Sequence, residues 1–168
     1  NINIYKIINS LSNIVNPPGR LEKVEKNYKV YVDYAHSPDA LKKLLISMTL
    51  DNKKPNLLFG CGGNRDKAKR LEMGKIANKY ANKVYITDDN PRNEDPSNIR
   101  KTILSKCKKG IEISNRKKAI ETAIRDHKKK DILIIAGKGH EKIQILKNSI
   151  KKFDDLKIAK KELKKIND

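Results

Sequence analysis

The run Asp131-Ile132-Leu133-Ile134-Ile135-Ala136-Gly137-Lys138-Gly139-His140-Glu141 decides the fold class. Residues 131–136 are strongly apolar without polar alternation, and they stop at a glycine. That is the signature of a strand buried on both faces, as in a parallel sheet covered by helices. Upstream, residues 56–59 repeat the pattern and run into Gly60-Cys61-Gly62-Gly63. Residues 28–34, 83–87 and 111–113 read as further strands, and residues 142–146 as another. Helices are expected between them, over 38–50, 71–80, 96–107 and 117–126. Pro38 and Pro96 open two of these at a first-turn position, where a missing N–H costs nothing. An amphipathic helix over 154–166 closes the chain, with Asp154 or Asp155 as its N-cap. The alternation predicts an α/β fold: a mostly parallel sheet of about six strands, helices on both faces, right-handed crossovers.

At 168 residues the chain has the size of one domain. Residues 2–14 carry apolar side chains at roughly helical spacing, and Pro17-Pro18-Gly19 ends that segment. The chain begins at Asn1 without Met, which reads as a fragment of something longer. Residues 1–16 are therefore expected to be a remnant of a preceding domain with its linker, and 17–168 the domain proper. The formal net charge is +19. One reading is a basic nucleic-acid-binding module or a membrane surface. The mix argues otherwise: 32 Lys stand against only seven Arg, and Trp is absent. Nucleic-acid readers interleave Arg with aromatics, whereas this composition fits exposed positions that drifted towards Lys and Asn. Two distant cysteines, Cys61 and Cys107, make neither a zinc site nor a disulfide framework, so a cytoplasmic location is expected. No apolar run reaches the length of a membrane span.

In open α/β sheets, ligands sit beyond the carboxyl ends of the strands. Four polar clusters fall there: Asp33-Tyr34-Ala35-His36, Gly60 to Arg65, Asp88-Asp89-Asn90-Pro91-Arg92, and Gly137 to Glu141. Gly60 and Gly62 fail the dinucleotide fingerprint because position 65 is Arg. Gly137-Lys138-Gly139 lacks the upstream Gly and the following Ser or Thr of a phosphate-binding P-loop. Some of these glycines fit equally well as tight turns after strands. Arg65, Arg92, Asn90 and Glu141 form a pointed set. Guanidiniums hold carboxylates in a fork, and a carboxylate suits an ammonium, so together they suit a zwitterionic amino acid. A surface ion-pair network is the plainer reading of the same residues. His36 and His140 have the chemistry of general bases, but loop histidines more often only hydrogen-bond.

These four motifs, in this order, resemble the Mur ligases, and most closely the branch that adds meso-diaminopimelate. The similarity runs from about residue 17 to the end and corresponds to the third domain of that family. The resemblance implies a Rossmann-like domain that receives the incoming amino acid. A preceding P-loop ATPase domain would carry the magnesium sites, and a first domain would hold the UDP end of UDP-N-acetylmuramoyl-L-alanyl-D-glutamate. ATP and Mg2+ are thereby implied, with the reaction passing through an acyl phosphate in peptidoglycan synthesis. By position, Arg92 corresponds to the residue that grips the distal carboxylate of meso-diaminopimelate. Asn90 corresponds to a further residue that binds the same substrate, and both lie in a selectivity motif with Asp89 and Pro91. Arg65 corresponds to the other carboxylate-binding arginine. The Gly137 carbonyl and Glu141 correspond to the groups that take the distal ammonium. Arg20 corresponds to an arginine reaching the ATP phosphates, Asp33 to an acid near the ribose, and His36 to a neighbour of the adenine or ribose. Pro17-Pro18-Gly19 departs from the usual approach to the Gly-Arg motif. No residue is assigned as catalytic, and this chain alone is expected to turn over no ATP. The nearer alternatives are a lysine-adding relative or a folylpolyglutamate synthase-like domain.

Overall fold

The computed structural model describes residues 3–11 and 16–167. Helix α1 spans Ile4–Leu11. It falls within the helix expected over 2–14, of which residues 2 and 12–14 lie outside the described residues. The main domain then runs β1 (Glu22–Lys23), β2 (Val30–Asp33), α2 (Pro38–Ser47), β3 (Asn56–Phe59), α3 (Ala68–Tyr80) and β4 (Val84–Ile86). It continues with α4 (Pro96–Leu104), β5 (Gly110–Glu112), α5 (Arg116–Arg125), β6 (Leu133–Ala136), β7 (Ile143–Leu146), β8 (Ser149–Lys152) and α6 (Asp155–Asn167).

Six strands form one sheet in the order β1-β2-β6-β3-β4-β5. All neighbours are parallel except the edge strand β1, which runs antiparallel to β2. The expected architecture is therefore present, but its membership differs. Residues 142–146 do not join the sheet: β7 pairs with β8 in a separate antiparallel hairpin. The sixth place is taken by β1, two residues too short to show any periodicity.

The strand side chains explain the three layers. Leu57, Phe59, Val84, Ile86, Ile134 and Ala136 pack with residues of α2, α3 and α4 such as Leu41, Leu45, Met73 and Ile103. Their alternates, Leu58, Tyr85, Leu133 and Ile135, pack with Ala119, Ile120, Ala123, Ala159 and Leu163 of α5 and α6. Successive strand residues point to opposite faces, so an unbroken apolar run buries both. Asp154 settles the last cap: its Oδ1 accepts from the Lys157 N–H at 3.0 Å. Asp155 instead turns inward and is fully buried.

The register aligns the strand ends. Asp33 lies opposite Ala136, and Phe59 opposite Ile86. The loops that follow β2, β3, β4 and β6 consequently leave the sheet at one edge. β6 lies between β2 and β3, and strand order reverses there, which opens a crevice for a ligand.

Candidate functional site

One pocket of about 160 Å³ collects residues from all four loops. Tyr34 and His36 come from the β2 loop; Gly60, Cys61, Gly62, Arg65 and Lys69 from β3 and its continuation; Asp89, Asn90 and Arg92 from β4; Gly137 and Glu141 from β6. Seven of the ten residues singled out in the sequence thus share one cavity. Pro91 is buried beside it, while Arg20 and Asp33 are not on its wall.

The loops after β3 and β4 are laced together. The Gly63 N–H donates to the Asn90 carbonyl at 2.9 Å. Arg92 Nη1 donates to the Gly63 carbonyl at 2.9 Å and the Asn90 carbonyl at 3.3 Å. Arg70, nearly buried, forks onto both oxygens of Glu94 at 2.9 Å and also donates to the Gly62 carbonyl. Those Arg70 hydrogen bonds, and then the Asn64 N–H, hold the Glu94 carboxyl well below its ordinary value, at about 2. Arg92 itself has φ +52°, a left-handed conformation that costs a branched or bulky residue energy and persists only when neighbours enforce it.

Gly62 shows how two arginines meet. A Cβ built there would stand 2.9 Å from Arg92 Nη1 and 3.8 Å from Arg65 Cγ. Both side chains flank the same bare backbone. Neither has a carboxylate partner among the described residues. Arg70, Arg100, Arg116 and Arg125 do pair, with Glu94, with Asp88 and Glu112, with Asp155, and with Glu162. Arg20 also lacks one; its guanidinium lies 4.6 Å from the centre of the Tyr34 ring. Among the described residues, the three arginines that the resemblance assigns to ligands are those without a carboxylate partner.

The acidic side of the pocket is more crowded. Glu141 Oε2 accepts from Asn90 Nδ2 and from Lys138 Nζ, each at 3.0 Å. Lys138 is fully buried, and sequence reasoning did not select it. Nothing in its local sequence marks it, because its partners Asn90 and Glu141 meet it only in the folded chain. Arg116 was missed as well. It is 1% exposed, forks onto Asp155 at 2.9 and 2.7 Å, and approaches Asp89 at 4.0 Å. Nothing in local spacing announces a partner 39 residues away.

Asp33 is 7% exposed and accepts two backbone N–H groups, from Leu21 at 2.8 Å and Ala35 at 2.7 Å. It pins the segment carrying Arg20 to the end of β2. His36 Nδ1 lies 2.8 Å from the Tyr34 carbonyl. A carbonyl only accepts, so Nδ1 carries the proton and Nε2 is the ring's remaining polar atom. His140 is exposed and stacks 5.2 Å from Tyr34. Cys61 is no nucleophile here: burial pushes its thiol up to about 12.

Comparison with known proteins places the chain in a family and matches its fold. Residues 19–139 match the family described as Mur ligase, glutamate ligase domain. A relative from Rickettsia montanensis, a UDP-N-acetylmuramoyl-L-alanyl-D-glutamate–2,6-diaminopimelate ligase, is 49% identical over 137 residues, which cover 79% of this chain and 28% of that protein. A solved structure of a ligase of the same name superposes with a TM-score of 0.83 at 32% identity, covering 99% of this chain and 36% of the other. A folylpolyglutamate synthase from Thermotoga maritima has TM-score 0.59 at 20% identity over 82% of this chain and 31% of its own, a likeness of fold alone. The chain thus spans under a third of the length of its curated relative. With more than two thirds of its residues inside the matched domain, the chain belongs to the Mur ligase family.

Proposed function

We propose that this chain is the amino-acid-receiving domain of an ATP-dependent ligase that joins meso-diaminopimelate to UDP-N-acetylmuramoyl-L-alanyl-D-glutamate. In this reading residues 17–168 form that domain, residues 1–16 lead in from a preceding ATPase domain, and the enzyme works in the cytoplasm in peptidoglycan synthesis. The observation that carries it is the pair of carboxylate-free guanidiniums, Arg65 and Arg92, flanking Gly62 in a pocket that also holds Glu141 and Gly137. Two cationic forks suit the two carboxylates of diaminopimelate, and the Gly137 carbonyl with Glu141 suits its distal ammonium. Asn90 lines the same pocket and reads the amino acid with them, and Asp89 and Pro91 flank it in the loop that carries Arg92.

ATP supplies the phosphoryl group that turns a resistant carboxylate into an acyl phosphate. The incoming amine then forms the C–N bond, the C–O bond to phosphate breaks, and the amine gives up a proton. This domain's part is to present that amine. Arg20, without a carboxylate partner and lying over Tyr34, fits a role toward phosphate, with Asp33 fixing its loop and His36 beside the same ring. Among the described residues no cluster of three or more metal-ligating side chains exists. This reading assigns magnesium to the preceding domain. Among the described residues, too, no helix is long and apolar enough to cross a membrane.

Arg92→Ala in the complete ligase tests the reading. The KM for meso-diaminopimelate should rise about 10- to 100-fold, since a charged, forked contact is lost. Discrimination against L-lysine should shrink by the same factor, and the KM for ATP should hold. An unchanged KM for meso-diaminopimelate contradicts the assignment.

A further inference from the structure

Lys138 has no place in the pocket wall, yet it touches two residues that do. Its Nζ donates to Asn90 Oδ1 at 2.9 Å and to Glu141 Oε2 at 3.0 Å. The Ile145 N–H donates to the same Asn90 Oδ1 at 3.0 Å. An asparagine amide can otherwise present either end to a ligand. An ammonium only donates, so Lys138 and Ile145 together fix the oxygen end, and Nδ2 must point at Glu141, where it donates at 3.0 Å. One buried cation thus orients both the amide and the carboxylate.

The hairpin adds a second clamp on the same loop. Gln144 Nε2 donates to the Asp89 carbonyl at 2.7 Å, and the Arg92 N–H donates to the Ile145 carbonyl at 3.2 Å. The latter bond holds Arg92 at its positive φ. A fully buried ammonium is a poor choice for stability alone, because an apolar side chain of similar length avoids the desolvation. Its presence calls for a role that only a cation performs.

We propose that Lys138 is the positioning residue of this site, and that with Gln144 and Ile145 of β7 it sets the geometry by which Asn90, Glu141 and Arg92 read the amino acid. The inference rests on the function proposed above. It assigns specificity to a lysine and a hairpin that contact no substrate.

Lys138→Met in the complete ligase removes the charge and keeps the length. The KM for meso-diaminopimelate should rise about 10-fold or more, as for other losses of an orienting partner behind a binding residue. The KM for ATP should change less than about two-fold, and kcat at saturation only modestly, because the contact acts on binding. In an Asn90→Ala background the same substitution should add little, since the two act as one unit. Gln144→Met, at a half-buried position, is the second variant and should raise the same KM by about three-fold through one lost hydrogen bond. Unchanged KM for meso-diaminopimelate in both variants, full multiplication with Asn90→Ala, or a parallel rise in the KM for ATP overturns the proposal. Arg92→Ala is the reference arm. If it raises the KM and neither Lys138→Met nor Gln144→Met does, only the positioning role falls. If Arg92→Ala is itself silent, the substrate reading falls first and takes the positioning role with it.

Discussion

Two adjacent glycines separate folding from binding at the scale of single residues. At Gly63 a Cβ would lie 1.9 Å from the Pro91 carbonyl oxygen, so Gly63→Ala must move backbone. It should destabilise the domain, visible as a lower denaturation midpoint. At Gly62 the added Cβ meets the movable tip of Arg92 at 2.9 Å. Gly62→Ala should therefore fold nearly as well as the parent yet bind meso-diaminopimelate about 10-fold more weakly, by titration calorimetry. Equal losses of stability in the two variants would contradict this division. Glu94 supplies a pH signature. Its folded value of about 2 lies below its ordinary 4.5, so the unfolded chain binds the extra proton between them. The stability it contributes is whole above pH 4.5 and is lost as pH falls towards about 2. Glu94→Gln should flatten the acid limb of stability against pH relative to the parent. Sequence reading pointed to Arg65, Arg92 and Glu141, which line one cavity, because unusual polar residues crowd the strand ends. It passed over Lys138, weighed there only as a phosphate-binding lysine, because the bonds that define its role come from Asn90 and Glu141 after folding.

At the scale of elements, the strands that carry the site were legible because they are apolar on both faces. Residues 56–59 are the observed strand, and the run 131–136 contains all of β6. The helices were read nearly to their ends; α2 stops at Ser47, where the Met48 N–H closes the last turn onto Leu44. The hairpin was half seen. β7 has alternating isoleucines, whereas β8 is Ser149–Lys152 and exposed throughout, so no hydrophobic pattern marks it. Yet the hairpin is the element that binds the Asp89–Arg92 loop. It is tied to α6 by Asp154, which caps the helix and pairs with Lys142 at 2.9 Å. Asp154→Ala should cost about 1 kcal/mol in chemical denaturation, nearly all of it from the cap. The ion pair adds little, because Lys142 is mostly exposed. A loss well beyond 2 kcal/mol would mean that the pair matters more than this account allows.

Across the whole molecule, a buried pair couples the second helical layer to the site edge. Arg116 and Asp155 are both fully buried as side chains and join the starts of α5 and α6, and Arg116 Nη2 donates to the Ala136 carbonyl at the end of β6. Arg116→Met leaves an unpaired buried carboxylate and should cost about 3–5 kcal/mol. Adding Asp155→Leu should recover most of that loss, since an apolar pair avoids the desolvation. No recovery would show that the pair does more than satisfy itself. The high net charge, by contrast, has no counterpart in the site beyond Lys69 and the arginines already placed. In the function proposed here, a zwitterion with an extra acidic end lies among the four loops. A crystal structure of the protein soaked with meso-diaminopimelate tests this most directly. One carboxylate should lie on Arg65, the distal carboxylate on Arg92, and the distal ammonium between the Gly137 carbonyl and Glu141; a ligand bound elsewhere, or lying here with either arginine turned away from it, would rule out this mode of binding.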